Sequence, residues 1–246
     1  LFSLATRLLY RKADRIVAVS EGAAEDLRRS ARLPPHQVVT IYNPVLRLIA
    51  EPIPATRRTD TAPARVVTVG RLTRAKDQAN LIRAFAIVVR KRTAELLLVG
   101  DGEKRAQLEA LVHEIGLNGQ VHFLGRVQNP YPHMREADLF VLSSVREGFG
   151  NVLVEAMATG TPVVATDCPH GPREILADGR WGRLVPPADE QALARAMLEV
   201  LEDGGVDARQ RAWDFTVGRA ADQYLELLAA CPESADYGSP RAGEFE

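Results

Sequence analysis

Two short polar segments hold the residues of this chain best suited to chemistry. One is Gly70-Arg71-Leu72-Thr73-Arg74-Ala75-Lys76-Asp77, and the other is Ser143-Ser144-Val145-Arg146-Glu147-Gly148-Phe149-Gly150-Asn151. Arg71 and Lys76 supply positive charge, and a glycine-marked segment that opens a helix supplies free backbone amides, so together they suit a diphosphate. Taken singly, the cations read equally well as solvated loop charges, and Gly148 and Gly150 as the makings of a tight strand-to-helix turn. Glu147 needs a different partner. A carboxylate beside a diphosphate repels it, so Glu147 is expected to face something else, such as sugar hydroxyls. Glu155 falls in the second turn of the following helix, inside the apolar run 152–158, where a lone carboxylate is costly unless hydrogen-bonded. A ribose diol would satisfy it.

These segments work together only if the fold makes them neighbours. From residue 65 onward, short apolar runs alternate with amphipathic stretches. The pattern predicts strands at 66–69, 96–99, 121–124, 139–142, 162–165 and 183–185, and helices at 77–90, 104–115, 151–158, 172–176 and 190–201. Continuous rather than alternating apolar runs mean strands covered on both faces, hence an α/β fold with a doubly wound, Rossmann-like parallel sheet. In the order 3-2-1-4-5-6, ligands bind beyond the carboxyl ends of strands 1 and 4, where the winding reverses. The two polar segments follow those two strands.

Before this alternation, 1–13 reads as an amphipathic helix, followed by a strand at 15–19, a helix at 21–31 capped by Ser20, and a strand at 38–41. The proline-rich stretch 43–63, without apolar periodicity, reads as a linker. Helices at 206–213 and 217–228 come after the sheet, and the tail from Pro232 is expected to be disordered. Arg7, Arg11, Lys12 and Arg15 opposite apolar residues suit either peripheral attachment to an anionic membrane surface or a core helix with a solvated face.

Composition narrows the function classes. The 246 residues correspond to roughly 1.6 domains of ordinary size. With 31 Lys+Arg against 32 Asp+Glu and 46% hydrophobic residues, the chain is neither a disordered segment nor a polybasic nucleic-acid binder. No apolar run approaches the roughly 20 residues that span a bilayer. Two cysteines make neither a disulfide scaffold nor a zinc site, and they suit a cytoplasmic protein. The five histidines lack metal-ligand spacing, so no metal site is expected. Gly-x-Gly-x-x-Gly after a strand, a Walker loop, His-Glu-x-x-His and Gly-x-Ser-x-Gly are all missing, and Gly100-Asp101-Gly102 reads as a turn. Glu147 and Glu155 are little suited to a glycosidase pair, because Glu155 belongs to a helix start shared with the phosphate segment.

The run from Glu147 through Glu155, continuing as Ala156-Met157-Ala158-Thr159-Gly160-Thr161-Pro162-Val163-Val164-Ala165-Thr166-Asp167, resembles the nucleotide-sugar motif of retaining glycosyltransferases of family 4, which have the GT-B fold. Gly70-Arg71-Leu72 with Lys76 resembles that family's diphosphate loop, and Gly171-Pro172-Arg173-Glu174-Ile175 followed by Gly179 and Gly182 also fits. The resemblance implies that Gly70, Arg71 and Lys76 hold the donor diphosphate. The amides of Gly148, Phe149, Gly150 and Asn151 assist at phosphate and sugar, Glu147 holds sugar hydroxyls and Glu155 the ribose. Arg126 and Val127 lie by the base. Arg71, Lys76 and Glu147 become the catalytic set, with no cofactor beyond the donor substrate and no bound metal. The partners implied are a nucleotide-sugar donor and a glycan or lipid-linked acceptor. The resemblance also implies a division into a remnant of the acceptor-side domain at 1–44, a linker at 45–64, the donor domain at 65–204 and returning helices at 205–231, with the tail at 232–246 beyond them. Read as a partial enzyme, the chain is either the donor half of a hexosyl-type transferase serving surface polysaccharide or lipopolysaccharide synthesis, or a catalytically silent nucleotide-sugar-binding module.

Overall fold

The structure, a computed structural model, describes residues 8–47 and 62–230. A small unit comes first: β1 (Ile16–Ala18), α1 (Glu21–Ala31) and β2 (Val38–Thr40). Ser20 caps α1 by accepting a hydrogen bond from the Ala23 amide, and Arg28 and Arg29 occupy the last turn, where the helix dipole favours cations. β1 and β2 pair in parallel, and Ala18, Ala24, Ala31, Leu33 and Val38 form a core between them and the helix.

The main sheet follows from the apolar runs. Its strands are β3 (Ala64–Val69), β4 (Ala94–Val99), β5 (Val121–Gly125), β6 (Leu139–Leu142), β7 (Val163–Thr166) and β8 (Arg183–Val185). All pair in parallel, in the order β5-β4-β3-β6-β7-β8. This is the 3-2-1-4-5-6 winding, so β3 and β6 are the neighbours at which direction reverses. Successive residues of a strand face opposite sides. Val66, Leu96 and Val141 accordingly join one core with α2 (Gln78–Val88), α3 (Arg105–Glu114) and α7 (Glu190–Asp203), whereas Val67, Leu97 and Phe140 join a second one with α5 (Asn151–Ala158) and α8 (Arg209–Ala212). The helix α6 (Pro172–Ile175) lies between β7 and β8.

Several expectations are corrected. A helix α4 (Tyr131–Arg135) was not foreseen, because five residues with a proline show no apolar period, yet proline is tolerated in a first helical turn. The expected helix at 206–213 is reduced to α8 and a 3-10 turn, Trp213–Phe215, because the left-handed cap Gly204 ends α7 and Asp207 holds the Arg209 amide. The strand expected at 162–165 is β7, one residue later, and the helix expected from 77 is α2, with Asp77 as its cap. Of the helix expected at 1–13, only residues 8–10 are seen as helical; 1–7 lie outside the described residues, as do 48–61 of the linker and the tail. Leu8 and Leu9 are exposed.

The chain crosses back through an aromatic knot. The rings of Tyr42 and Phe149 stack at 5.6 Å, and Phe215 meets both edge-on, at 5.6 and 5.4 Å. Beside it the Val45 and Leu46 amides donate to the Phe215 carbonyl, and Val217 donates to Leu46. The last helix, α9 (Val217–Ala229), buries only Ala220 and leaves Tyr224, Leu225 and Leu228 exposed.

Candidate functional site

The segment after β3 is shaped by backbone contact with the segment after β4. Gly70 donates to Val99 at 2.9 Å, Leu72 to Asp101 at 3.0 Å, and Lys104 to Leu72 at 3.0 Å. A Cβ at Gly100 would lie 2.0 Å from the Gly70 carbonyl oxygen, which no side chain permits. Gly100-Asp101-Gly102, read from sequence as a turn, thus braces the cationic loop. Leu72 is buried beneath it, while Arg71 is exposed and makes no side-chain hydrogen bond or ion pair with any described residue.

The segment after β6 meets that loop across the sheet's reversal. The Val145 amide donates to the Ala75 carbonyl at 2.9 Å, and the Lys76 ammonium lies 2.5 Å from Glu147 Oε1. Sequence reasoning expects Glu147 to face something other than a phosphate; in the structure its Oε1 pairs with Lys76, a partner that the repulsion argument did not consider. Glu147 also takes the Ser144 hydroxyl on the same Oε1, at 2.6 Å. Its backbone is tied down by Glu147 N donating to Pro169 and His170 N donating to Glu147. Phe149 sends its ring into the aromatic knot, leaving only its backbone for a ligand. Gly171 backs this loop so closely that a Cβ there would lie 1.8 Å from the Phe149 carbonyl oxygen.

Two clefts open at the carboxyl ends of these strands. One, of about 280 Å³, is lined by Lys76, Glu147, Gly148, Phe149, Gly150 and Asn151 together with Val19 and Asn43. The other, of about 320 Å³, is lined by Gly70, Arg71, Gly100, Asp101, Arg126, Val127 and Pro130. Nearly all the residues expected at the site are therefore brought together. Glu155 is the exception: it lines neither cleft and lies near Tyr131 of α4 instead. Burial holds the Glu155 carboxyl above the usual range, and burial and the Glu155 charge push the Tyr131 phenol up. The Glu155 carboxylate has no hydrogen-bond partner among the described residues, so none of them offsets the cost of its burial. Cys168 lies near Glu147, but burial, followed by the Glu147 charge, pushes its thiol up to about 11, which keeps it unreactive.

Sequence reasoning missed Val19 and Asn43, which come from the small first unit and the start of the linker. Asn43 Nδ2 donates to Asn151 Oδ1 at 2.9 Å. The unit docks by its helix start: Glu174 accepts from the Glu21 and Gly22 amides at 2.7 and 2.9 Å, and Ser20 Oγ donates to the Gly148 carbonyl at 3.1 Å. The Asn43-Pro44 pair directly after a strand was a signal, but it was absorbed into the linker by its prolines. Ser143 and Ser144 have no role legible from sequence, because nothing in their spacing distinguishes them from loop serines. Among the described residues, no three His, Cys, Asp or Glu side chains group so as to hold a metal ion, and no helix is long and apolar enough to cross a membrane.

A parallel sheet wound this way, with a cationic loop after its first strand joined to an acidic, glycine-marked helix start after its fourth, is a Rossmann-like domain of the kind found in GT-B proteins. The chain belongs to the glycosyl transferases group 1, which it matches over residues 63–203, and residues 1–45 match Glycosyltransferase Family 4. It is 36% identical over 228 residues to the N-acetylgalactosamine-N,N'-diacetylbacillosaminyl-diphospho-undecaprenol 4-alpha-N-acetylgalactosaminyltransferase of Campylobacter jejuni, covering 90% of this chain and 61% of that protein. It is 34% identical over 235 residues to the lipopolysaccharide core biosynthesis glycosyltransferase LpsE of Rhizobium meliloti, covering 92% of this chain and 68% of that protein. Among solved structures, Anabaena Alr3699/HepE in complex with UDP superposes with a TM-score of 0.79 at 26% identity, over 94% of this chain and 69% of that one. The lipopolysaccharide outer core galactosyltransferase WaaB, at 22% identity and a TM-score of 0.76, shares the fold over 88% of this chain and 62% of its own. The chain thus spans roughly three fifths to two thirds of the length of these proteins.

Proposed function

We propose that this chain binds a nucleotide-diphosphate sugar and serves as the donor side of a retaining hexosyl-type transferase acting on a glycan or lipid-linked glycan acceptor, in surface polysaccharide or lipopolysaccharide synthesis. The observation that carries the reading is the Lys76–Glu147 pair at 2.5 Å, which joins the loops after β3 and β6 at the sheet's reversal. Arg71 and Lys76 take the diphosphate, with the amides at the start of α5 beside them. Glu147 holds sugar hydroxyls. Arg126 and Val127 line the cleft suited to the base, and Glu155 with Tyr131 takes the ribose. The acceptor class follows the activities for which the relatives from Campylobacter jejuni and Rhizobium meliloti are named, and the donor class the UDP bound by the Anabaena protein.

As the bond from the anomeric carbon to the diphosphate breaks, its electron pair leaves with the diphosphate. Arg71, Lys76 and the helix start neutralise the growing charge without a bound metal. An oxocarbenium-like centre forms, and the acceptor hydroxyl attacks from the same face and passes its proton to the departing diphosphate oxygen, which preserves the anomeric configuration. The small first unit belongs to the acceptor side, and Val19 and Asn43 bring it to the sugar cleft. Titration calorimetry with UDP, GDP and ADP tests the donor reading: one of the three should bind, and Lys76→Ala should weaken it. Absence of binding by all three removes the reading. Slow hydrolysis of the matching nucleotide sugar marks an enzyme, and binding without turnover marks a silent module.

A further inference from the structure

We infer that Ser143 and Ser144 are separate positioning residues for the two charged groups of the site: Ser144 orients the Glu147 carboxylate toward the donor sugar, and Ser143 sets the backbone from which Lys76 reaches the diphosphate. The inference rests on the nucleotide-sugar reading of the site and adds a division of labour to it.

The two serines directly follow β6 and are buried, at 2% and 0% exposure. Consecutive residues leaving a strand point to opposite sides, so the pair can serve two neighbours at once. Ser143 Oγ donates to the Lys76 carbonyl at 2.8 Å, across the β3–β6 boundary. Ser144 Oγ donates to Glu147 Oε1 at 2.6 Å, and β7 holds Ser144 itself through Thr166 Oγ1, which donates to the Ser144 carbonyl at 2.5 Å.

The arrangement of donors on Glu147 is asymmetric. Oε1 accepts both the Lys76 ammonium and the Ser144 hydroxyl, whereas Oε2 accepts from no described residue. The terminal torsion of a glutamate is soft and roughly two-fold, so one donor alone would leave the carboxylate free to turn. Two donors on one oxygen fix its plane and leave the lone pairs of Oε2 for hydroxyl groups. Lys76 is not itself anchored by Ser144, and Glu147 is not anchored by Ser143. Removing one hydroxyl should therefore disturb one end of the donor and not the other.

The test is binding of UDP and UDP-glucose, and in parallel of GDP and GDP-mannose, to the full chain by calorimetry. Ser144→Ala is expected to weaken the sugar nucleotide about 5- to 10-fold while changing the diphosphate less than about 2-fold. Ser143→Ala is expected to weaken both by a similar factor. In a Glu147→Gln background, Ser144→Ala should add almost nothing, because its target is already altered. If Ser144→Ala does not fold, Ser144→Cys, which keeps a weak donor in the same volume, takes its place and should show the same split at smaller size. Equal weakening of both ligands by both variants, or effects of Ser144 and Glu147 that simply add, overturns the inference while leaving the donor reading in place. A wild-type chain that binds none of the four nucleotides overturns both.

Discussion

The cleft around Lys76 and Glu147 and the cleft around Arg71 and Arg126 lie side by side at the ends of one sheet, but they are built by different rules. In the first, the two charges neutralise each other, serines hold one backbone and one carboxylate, and Gly171 backs the loop in direct contact. In the second, Arg71 and Arg126 make no side-chain hydrogen bond or ion pair among the described residues, and Glu155 nearby is half-buried without a partner. The first is preorganised, which is what a group acting on developing charge requires, since reorganisation at the moment of bond breaking would raise the barrier. The second leaves its two arginines exposed to solvent and without an anionic partner among the described residues, so they are open to pairing with a nucleotide.

The comparison can be broken most forcefully from beneath. Gly171→Ala puts a Cβ against the Phe149 carbonyl at a backbone φ of +98, and it should cost about 3 kcal/mol or more in a urea melt, with nucleotide binding lost as well. Next in size is Lys76→Ala. It deletes the diphosphate's cation and leaves Glu147, whose side chain is only 9% exposed, as an unpaired charge, so calorimetry should show roughly a 100-fold loss of nucleoside diphosphate affinity. Adding Glu147→Gln to that variant should restore part of the stability but not the affinity. Arg71→Ala should weaken the same ligand about 10-fold without moving the melting temperature, because the Arg71 side chain bonds to none of the described residues. A destabilised Arg71 variant would show that the second cleft is braced like the first.

The smallest effect expected concerns pH. Burial raises the Glu155 pKa in the folded chain above its unfolded value, so the folded state binds the proton more tightly. The penalty for holding Glu155 charged is absent below the unfolded pKa, grows as pH rises through the window up to the folded value, and is fully present above it. Glu155→Gln should therefore raise the melting temperature slightly at neutral pH, flatten its decline between acid and neutral pH, and weaken nucleotide binding. A variant less stable than the parent at neutral pH would show that Glu155 has a hidden partner.

Much of this site was legible in the residues. Continuous apolar runs announced a parallel sheet, and counting strands placed Arg71 and Lys76 opposite Glu147 before any contact was known. What escaped were features with no period and no composition: α4, five residues long, and the bracing role of Gly100, whose reason is another segment's carbonyl oxygen 2.0 Å from where a Cβ would lie. Asn43 escaped because proximity to Asn151, 108 residues distant, is not written in its neighbours. The pairing of Glu147 with Lys76 escaped for the same reason, since the repulsion argument considered one pair of charges and the fold set a cation beside the carboxylate.

The sequence alone determined which strands form, their winding, and the two loops that carry charge, because burial patterns and strand order follow from local periodicity and a few general rules of packing. Tertiary structure decided which carboxylate meets which cation, which hydroxyl holds it, and which glycines make room. Those depend on distances between segments far apart in the chain, where an ångström separates a hydrogen bond from a clash.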